Sequence, residues 1–152
     1  MEKNRVLLVV DLQPEFRDTD GRYEEILQFV KNCSGYDKVI ATVCGNSEKS
    51  PFVKYNNWFE CMGSHEPLEF EADAFIYKEG YGLAEYDVLP KDSFYEIIGF
   101  NTDACVLKVA LDLFDRGYDF CVLTEQCYSS NGAEHHARGV RLMRELMSDA
   151  IR

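Results

Sequence analysis

The sequence predicts an α/β protein in three layers (α/β/α). Its centre is a mainly parallel sheet of five or six strands with helices on both faces. Three observations predict this. Short apolar runs recur that are continuous rather than alternating, the pattern of a strand covered on both sides. Stretches with apolar residues at helical spacing separate them, and strand–helix alternation implies a parallel sheet. Finally, 152 residues with 46% apolar and 28% charged residues match one globular, Rossmann-like domain spanning 1–152.

The elements follow in order. Residues 5–10 read R-V-L-L-V-V and stop at Asp11. Residues 23–33 carry Ile26, Leu27, Phe29 and Val30 at helical spacing, with Thr19 or Asp20 as the N-terminal cap. Residues 38–43, K-V-I-A-T-V, make a second strand. Residues 44–73 break the alternation; they hold Pro51, Trp58 and Pro67 and read as a functional excursion. Residues 74–77, A-F-I-Y, form a third strand followed by Lys78, and residues 94–99, F-Y-E-I-I-G, a fourth. Residues 103–116 place Val106, Val109, Ala110, Leu113 and Phe114 on one helical face, and Gly117 stands where a helix C-terminus favours glycine. Residues 118–123, Y-D-F-C-V-L, are a fifth strand, and residues 134–147 a last helix with Ala137, Val140, Leu142, Met143 and Leu146. Little chain is left for a sixth strand.

Charge excludes several functions. Lys plus Arg is 16 and Asp plus Glu is 27, a net charge of −11. That is the wrong sign for a nucleic-acid binder or for an anionic membrane surface. No segment approaches the roughly 20 apolar residues of a membrane span. The first apolar run is too short for a signal-peptide core and lacks a cleavage site, so the reading is a cytoplasmic protein. The six cysteines, Cys33, Cys44, Cys61, Cys105, Cys121 and Cys127, contain no C-x-x-C pair. They read as reduced thiols, and the lack of a C-x-x-C argues against a thiol-redox protein. The chain has three histidines, His65, His135 and His136, too scattered for a metal cluster, and no metal or other cofactor is expected.

In open α/β sheets, ligands bind beyond the carboxyl ends of the strands. That rule selects Asp11, Lys78 and Cys105. Alone, each has a plainer reading: a turn aspartate, a solvated lysine and a small buried thiol. Together they put a carboxylate, an ammonium and a thiol at one sheet edge. The carboxylate is suited to general-base work. The thiol, in the first turn of a helix, is expected to lean toward thiolate. Of the aromatics in the excursion, Phe52, Tyr55, Trp58 and Phe59, Trp58 is taken as a pocket residue, as is Tyr81 close behind Lys78.

Three segments resemble the isochorismatase-like cysteine hydrolases, a family that includes nicotinamidases and N-carbamoyl amide hydrolases. They are V-V-D-L-Q-P-E-F at residues 9–16, Y-K-E-G-Y at 77–81 and I-G-F-N-T-D-A-C-V at 98–106. The resemblance continues through Leu111-Asp112 and Arg116-Gly117-Tyr118, covering the chain from Arg5 to about Leu146. It implies Cys105 as nucleophile, Asp11 as general base and Lys78 as the residue that holds and polarises the pair. It further implies an oxyanion hole from the backbone N–H groups of Asn101 and Cys105, a non-proline cis peptide between Phe100 and Asn101, and Gln13 and Phe16 flanking the pocket. Dimers or larger homo-oligomers are implied too.

One departure matters. Nicotinamidases of this family carry a D-x-H metal motif after the second strand, whereas here the chain reads T-V-C-G-N-S-E-K at residues 42–49. The expected activity is therefore metal-independent cleavage of a C–N bond in a small, neutral amide or ureido compound, through a thioester. Arg17, Lys54 or Lys91 would have to offset the net charge for an anionic substrate to be steered in. At 152 residues the chain is short for the family, with the shortening expected in the excursion and at the C-terminus. A catalytically inactive binding or interaction subunit is the alternative. A dinucleotide-binding module is disfavoured, because Leu12-Gln13-Pro14 stands where G-x-G-x-x-G would follow the first strand.

Overall fold

The structure, a computed structural model, describes residues 2–152. Five strands form one parallel sheet: β1 (Asn4–Val10), β2 (Lys38–Cys44), β3 (Ala74–Lys78), β4 (Ser93–Phe100) and β5 (Asp119–Tyr128). Their order is β3-β2-β1-β4-β5. The chain thus builds outward from β1 to one edge, returns across the sheet and builds outward to the other. The reversal lies between β1 and β4, and such a switch point opens a crevice at the strand ends.

The described residues also form helices α1 (Arg22–Asn32), α2 (Pro51–Asn56), α3 (Leu107–Asp115) and α4 (Ala133–Met147), with short 3-10 turns at Pro14–Phe16 and Ser148–Ala150. The pleat of β1 sorts its side chains between two cores. Val6, Leu8 and Val10 pack with Val109, Ala110 and Leu113 of α3 and Met143 and Met147 of α4. Leu7 and Val9 pack with Tyr23, Ile26, Leu27 and Val30 of α1 on the other face. No helix among the described residues is long and apolar enough to cross a membrane.

Four details differ from expectation. First, β3 is an edge strand covered on one face: Ile76 and Lys78 are buried while Phe75 and Tyr77 are exposed. Its short run of aromatic and aliphatic residues reads the same either way, and only the sheet order reveals the open side. Second, of the five or six strands expected, the described residues form five; Ile151 makes a single bridge to Val122, with Arg152 exchanging backbone bonds with Val122 and Thr124.

Third, α1 is not capped by Thr19 or Asp20. Gly21 takes the cap position at φ 81°, and the carboxylate of Asp18 accepts from the backbone N–H groups of Asp20 (2.8 Å), Arg22 (3.2 Å) and Tyr23 (2.7 Å). Burial opposes ionisation of Asp18, but these three donors outweigh it and hold its carboxyl below the usual range. Asp18→Ala is expected to cost about 1 kcal/mol, the usual worth of such a cap, read as a lowered urea midpoint at unchanged m-value. Fourth, the helix expected from Asp103 opens with a π-helical turn, Thr102–Val106, before α3 begins. At its far end Gly117 (φ 69°) closes α3 as expected, with its N–H on the Phe114 carbonyl.

Candidate active site

Sheet register assembles the site. Val10, the last residue of β1, lies opposite Thr42 of β2 and Gly99 of β4, and Cys44 of β2 lies opposite Lys78 of β3. Asp11 therefore emerges beside Thr42, two strands from Lys78, at the level where β4 hands over to the turn carrying Cys105. Its backbone is left-handed (φ 47°), which turns the chain out of the strand.

Asp11 and Lys78 make a buried ion pair. The Lys78 Nζ donates to Asp11 Oδ2 at 2.8 Å and to the Gly80 carbonyl at 3.0 Å. The Thr42 hydroxyl donates to Asp11 Oδ1 at 2.6 Å, so both carboxylate oxygens are engaged. The side chains of Asp11 and Lys78 are 0% and 1% exposed. Burial alone would push the Lys78 ammonium down. The negative charge of Asp11, the neighbouring Cys105 and the Asp11 hydrogen bond overcome it and hold the lysine above its ordinary range. The pair therefore favours the charged ammonium.

Cys105 stands in the π-helical turn and lines a cavity of about 450 Å³. Two features hold the turn in place. Gly99, at φ 123°, lets β4 approach β1 so closely that a Cβ there would lie 2.0 Å from the Val10 carbonyl oxygen. On the other side α4 presses in at Gly139, where a Cβ would lie 2.7 Å from the Asp103 backbone nitrogen. His136 and His135 reach the same turn: Nδ1 of His136 is 2.7 Å from the Thr102 hydroxyl, and Nδ1 of His135 is 3.2 Å from an Asp103 carboxylate oxygen that also accepts from Arg138. The peptide bond between Phe100 and Asn101 is cis, as the family resemblance implied. The Asn101 side chain accepts the Ser130 N–H at 2.8 Å, tying the loop after β5 to the same turn.

The expected bias of Cys105 toward thiolate is corrected. Burial pushes its thiol well up, and the Asp11 charge pushes it further; the opposing pull of Lys78 does not compensate. These causes favour the thiol over the thiolate. Alkylation by iodoacetamide is therefore expected to be slow at pH 7 and to rise about tenfold per pH unit through pH 9. A flat rate between pH 6 and pH 8 would contradict this.

Phe16, Trp58 and Tyr81 line the cavity with Cys105 and Asn101, as does Phe52. The Phe16 and Trp58 rings are stacked with centroids 6.2 Å apart, and Phe52 meets both Trp58 and Tyr81 edge to face. Of the other excursion aromatics, Tyr55 and Phe59 are exposed and stand outside the cavity. Gln13 is not a lining residue. It is fully buried, and its amide is engaged with the Cys44 backbone: Oε1 accepts the Cys44 N–H at 2.7 Å and Nε2 donates to the Cys44 carbonyl at 3.1 Å. It pins the end of β2 beneath the pocket. Cys44 itself lines the cavity, its thiol pushed up to about 12 by burial and by the Asp11 charge.

The cationic side chains considered for offsetting the net charge do not line the cavity. Arg17 pairs with Glu24 and Glu69, Lys54 lies over Tyr55, and Lys91 lies over Tyr118. Residues after β2 do not fit a metal either. Where the related motif places D-x-H, Cys44-Gly45-Asn46 stands, and the Asn46 amide is engaged with the carbonyls of Trp58 and Glu60. Among the described residues no three His, Cys, Asp or Glu side chains form a metal-holding group.

Thr42, Gly99 and Gly139 were not singled out from the sequence. A threonine near the end of an apolar strand and a glycine closing another were the available signals. Both gain meaning only once β1, β2 and β4 are known to be neighbours.

Residues 95–152 match the isochorismatase domain family. Isochorismatase domain-containing protein 2 of Xenopus laevis is 25% identical over 128 residues, 84% of this chain; the chain spans 62% of that relative's length. The crystal structure of pyrazinamidase/nicotinamidase from Streptococcus mutans UA159 superposes with a TM-score of 0.73 at 17% identity, covering 98% of this chain and 100% of that one. An isochorismatase-like hydrolase from Alkaliphilus metalliredigens gives a TM-score of 0.73 at 16% identity, covering 93% and 91%. The chain thus shares the fold of these solved structures along nearly its whole length, and its residues 95–152 match the isochorismatase domain model.

Proposed function

We propose that the protein is a cysteine hydrolase that cleaves a C–N bond of a small amide or ureido substrate through a thioester on Cys105. The observation that carries this reading is the buried Asp11–Lys78 ion pair beside a thiol that opens on a cavity. Burying two charges costs several kcal/mol per ion, and a structural pair is often no more stable than an apolar replacement. A buried pair beside a nucleophile has a use that a structural pair lacks. Similarity to a protein named for acting on nicotinamide supports the amide class.

The chemistry follows from the resting protonation. As Sγ of Cys105 attacks the substrate carbonyl carbon, its proton passes to Asp11, so no free thiolate need accumulate. Lys78 and Thr42 keep the carboxylate oriented during transfer. The backbone N–H groups of Asn101 and Cys105 are assigned to the oxyanion. The proton on Asp11 then goes to the departing nitrogen as the C–N bond breaks, releasing ammonia or an amine and leaving the thioester. Water, deprotonated by Asp11, attacks the thioester; the carboxylic acid leaves and the thiol is restored.

The test is a panel of small primary amides and ureido compounds assayed for ammonia release. Rapidly quenched samples are searched by mass spectrometry for an acyl adduct on the peptide holding Cys105. Release by the wild type and none by Cys105→Ala is the expected result. Binding of panel members without release from any would instead favour a binding subunit.

A further inference from the structure

We propose that the substrate is a cation: an amide or ureido compound whose positive group, an ammonium or quaternary ammonium, sits among the cavity's aromatic rings. This rests on the hydrolase reading and names the substrate class for the same site. Three features of the cavity lead to it.

The first is the sign of the lining charge. Glu15 and Glu60 line the cavity and no cationic side chain does. The ammonium of Lys78 lies behind the wall, buried against Asp11. The second is that neither glutamate has a counter-ion. Glu15 accepts from neutral donors, the Gln13 amide at 3.0 Å, the Glu66 N–H at 2.5 Å and the Cys61 thiol at 3.7 Å, which fix the carboxylate and bring no positive charge. Neither Glu15 nor Glu60 forms an ion pair among the described residues. The third is the remaining wall. Phe16, Trp58, Phe52 and Tyr81 form a continuous run of rings, successive centroids 6.2, 5.2 and 5.0 Å apart. Aromatic rings attract a cation through their quadrupole, most strongly when the cation is desolvated, and carboxylates near them add to the attraction.

An anion would meet two carboxylates inside the cavity and the −11 charge of the chain outside it. A neutral amide meets no repulsion but gives neither carboxylate a counter-ion. A cation is attracted where an anion is repelled and supplies the missing counter-ion, and it replaces the neutral substrate expected from the sequence.

The experiment uses three amides of similar size: trimethylammonioacetamide, its neutral carbon isostere 3,3-dimethylbutanamide, and the anion succinamate. Affinities for the Cys105→Ala protein are measured by calorimetry, so that turnover plays no part. The cation is expected to bind at least about tenfold more tightly than the isostere, with succinamate weakest. Glu60→Gln, at an exposed position, is expected to shrink that preference severalfold, and raised salt to do the same. Equal binding of cation and isostere, a preference for the isostere, or no binding of any of the three overturns the proposal. Ammonia release by the wild type is scored separately. Tight cation binding without release from any amide rejects the hydrolase reading and leaves the cation site. Release with no charge preference does the reverse.

Discussion

Lys78→Met is expected to destabilise the protein by about 3–5 kcal/mol, the usual consequence of removing one member of a buried ion pair. Methionine nearly matches the lysine stem in length, so packing is disturbed little. What changes is electrostatic. The carboxylate of Asp11, with no solvent exposure, would keep only the Thr42 hydroxyl on Oδ1 and lose its partner on Oδ2. The double variant Asp11→Asn/Lys78→Met removes both charges and is expected to recover much of the loss. That pattern, one severe single variant and a milder double, is the signature of coupling within a pair. Urea unfolding of wild type, both single variants and the double variant closes the cycle. Additive effects would mean that the two charges do not depend on each other, against the geometry. The same experiment bears on function: if the double variant folds as well as the wild type, the pair is not held for stability.

The pair also shows how far the sequence can be read. Asp11 and Lys78 were legible as residues at the ends of apolar runs, because a strand-end polar residue in an α/β sheet faces the ligand edge. Their contact was not legible, since it spans 67 positions and depends on the order β3-β2-β1. Local composition carries no strand order. The same limit hid Thr42, whose hydroxyl meets a carboxylate 31 positions away. Gly99 was visible as a glycine, but its reason is the Val10 carbonyl on a neighbouring strand. Gln13 was assigned to the pocket from family resemblance, yet its amide is engaged with the Cys44 backbone. The thiol state of Cys105 was misjudged for a related reason. A helix start suggests a stabilised anion, but burial and the Asp11 charge are tertiary facts, and here they dominate.

Asp11→Asn is expected to move two properties of Cys105 in opposite directions. Hydrolysis of an accepted amide should fall by about 10²–10⁴ in kcat/KM, the range associated with a positioned acid–base group. Asparagine can neither take the thiol proton nor deliver it to the leaving nitrogen. Alkylation of Cys105 by iodoacetamide at pH 7 should become faster. The Asp11 charge is one of the causes that raise the thiol, and removing it relieves that repulsion of the thiolate. A variant with a more reactive sulfur and a less active site separates proton transfer from simple nucleophilicity. The thermal transition of the variant, measured alongside, shows whether the fold persists with Lys78 unpaired. Should hydrolysis and alkylation fall together in a folded protein, Asp11 activates the sulfur in some way other than the proton transfer assigned to it. Should hydrolysis persist near the wild-type rate, Asp11 is not the base, and the buried pair only positions the turn that carries Cys105.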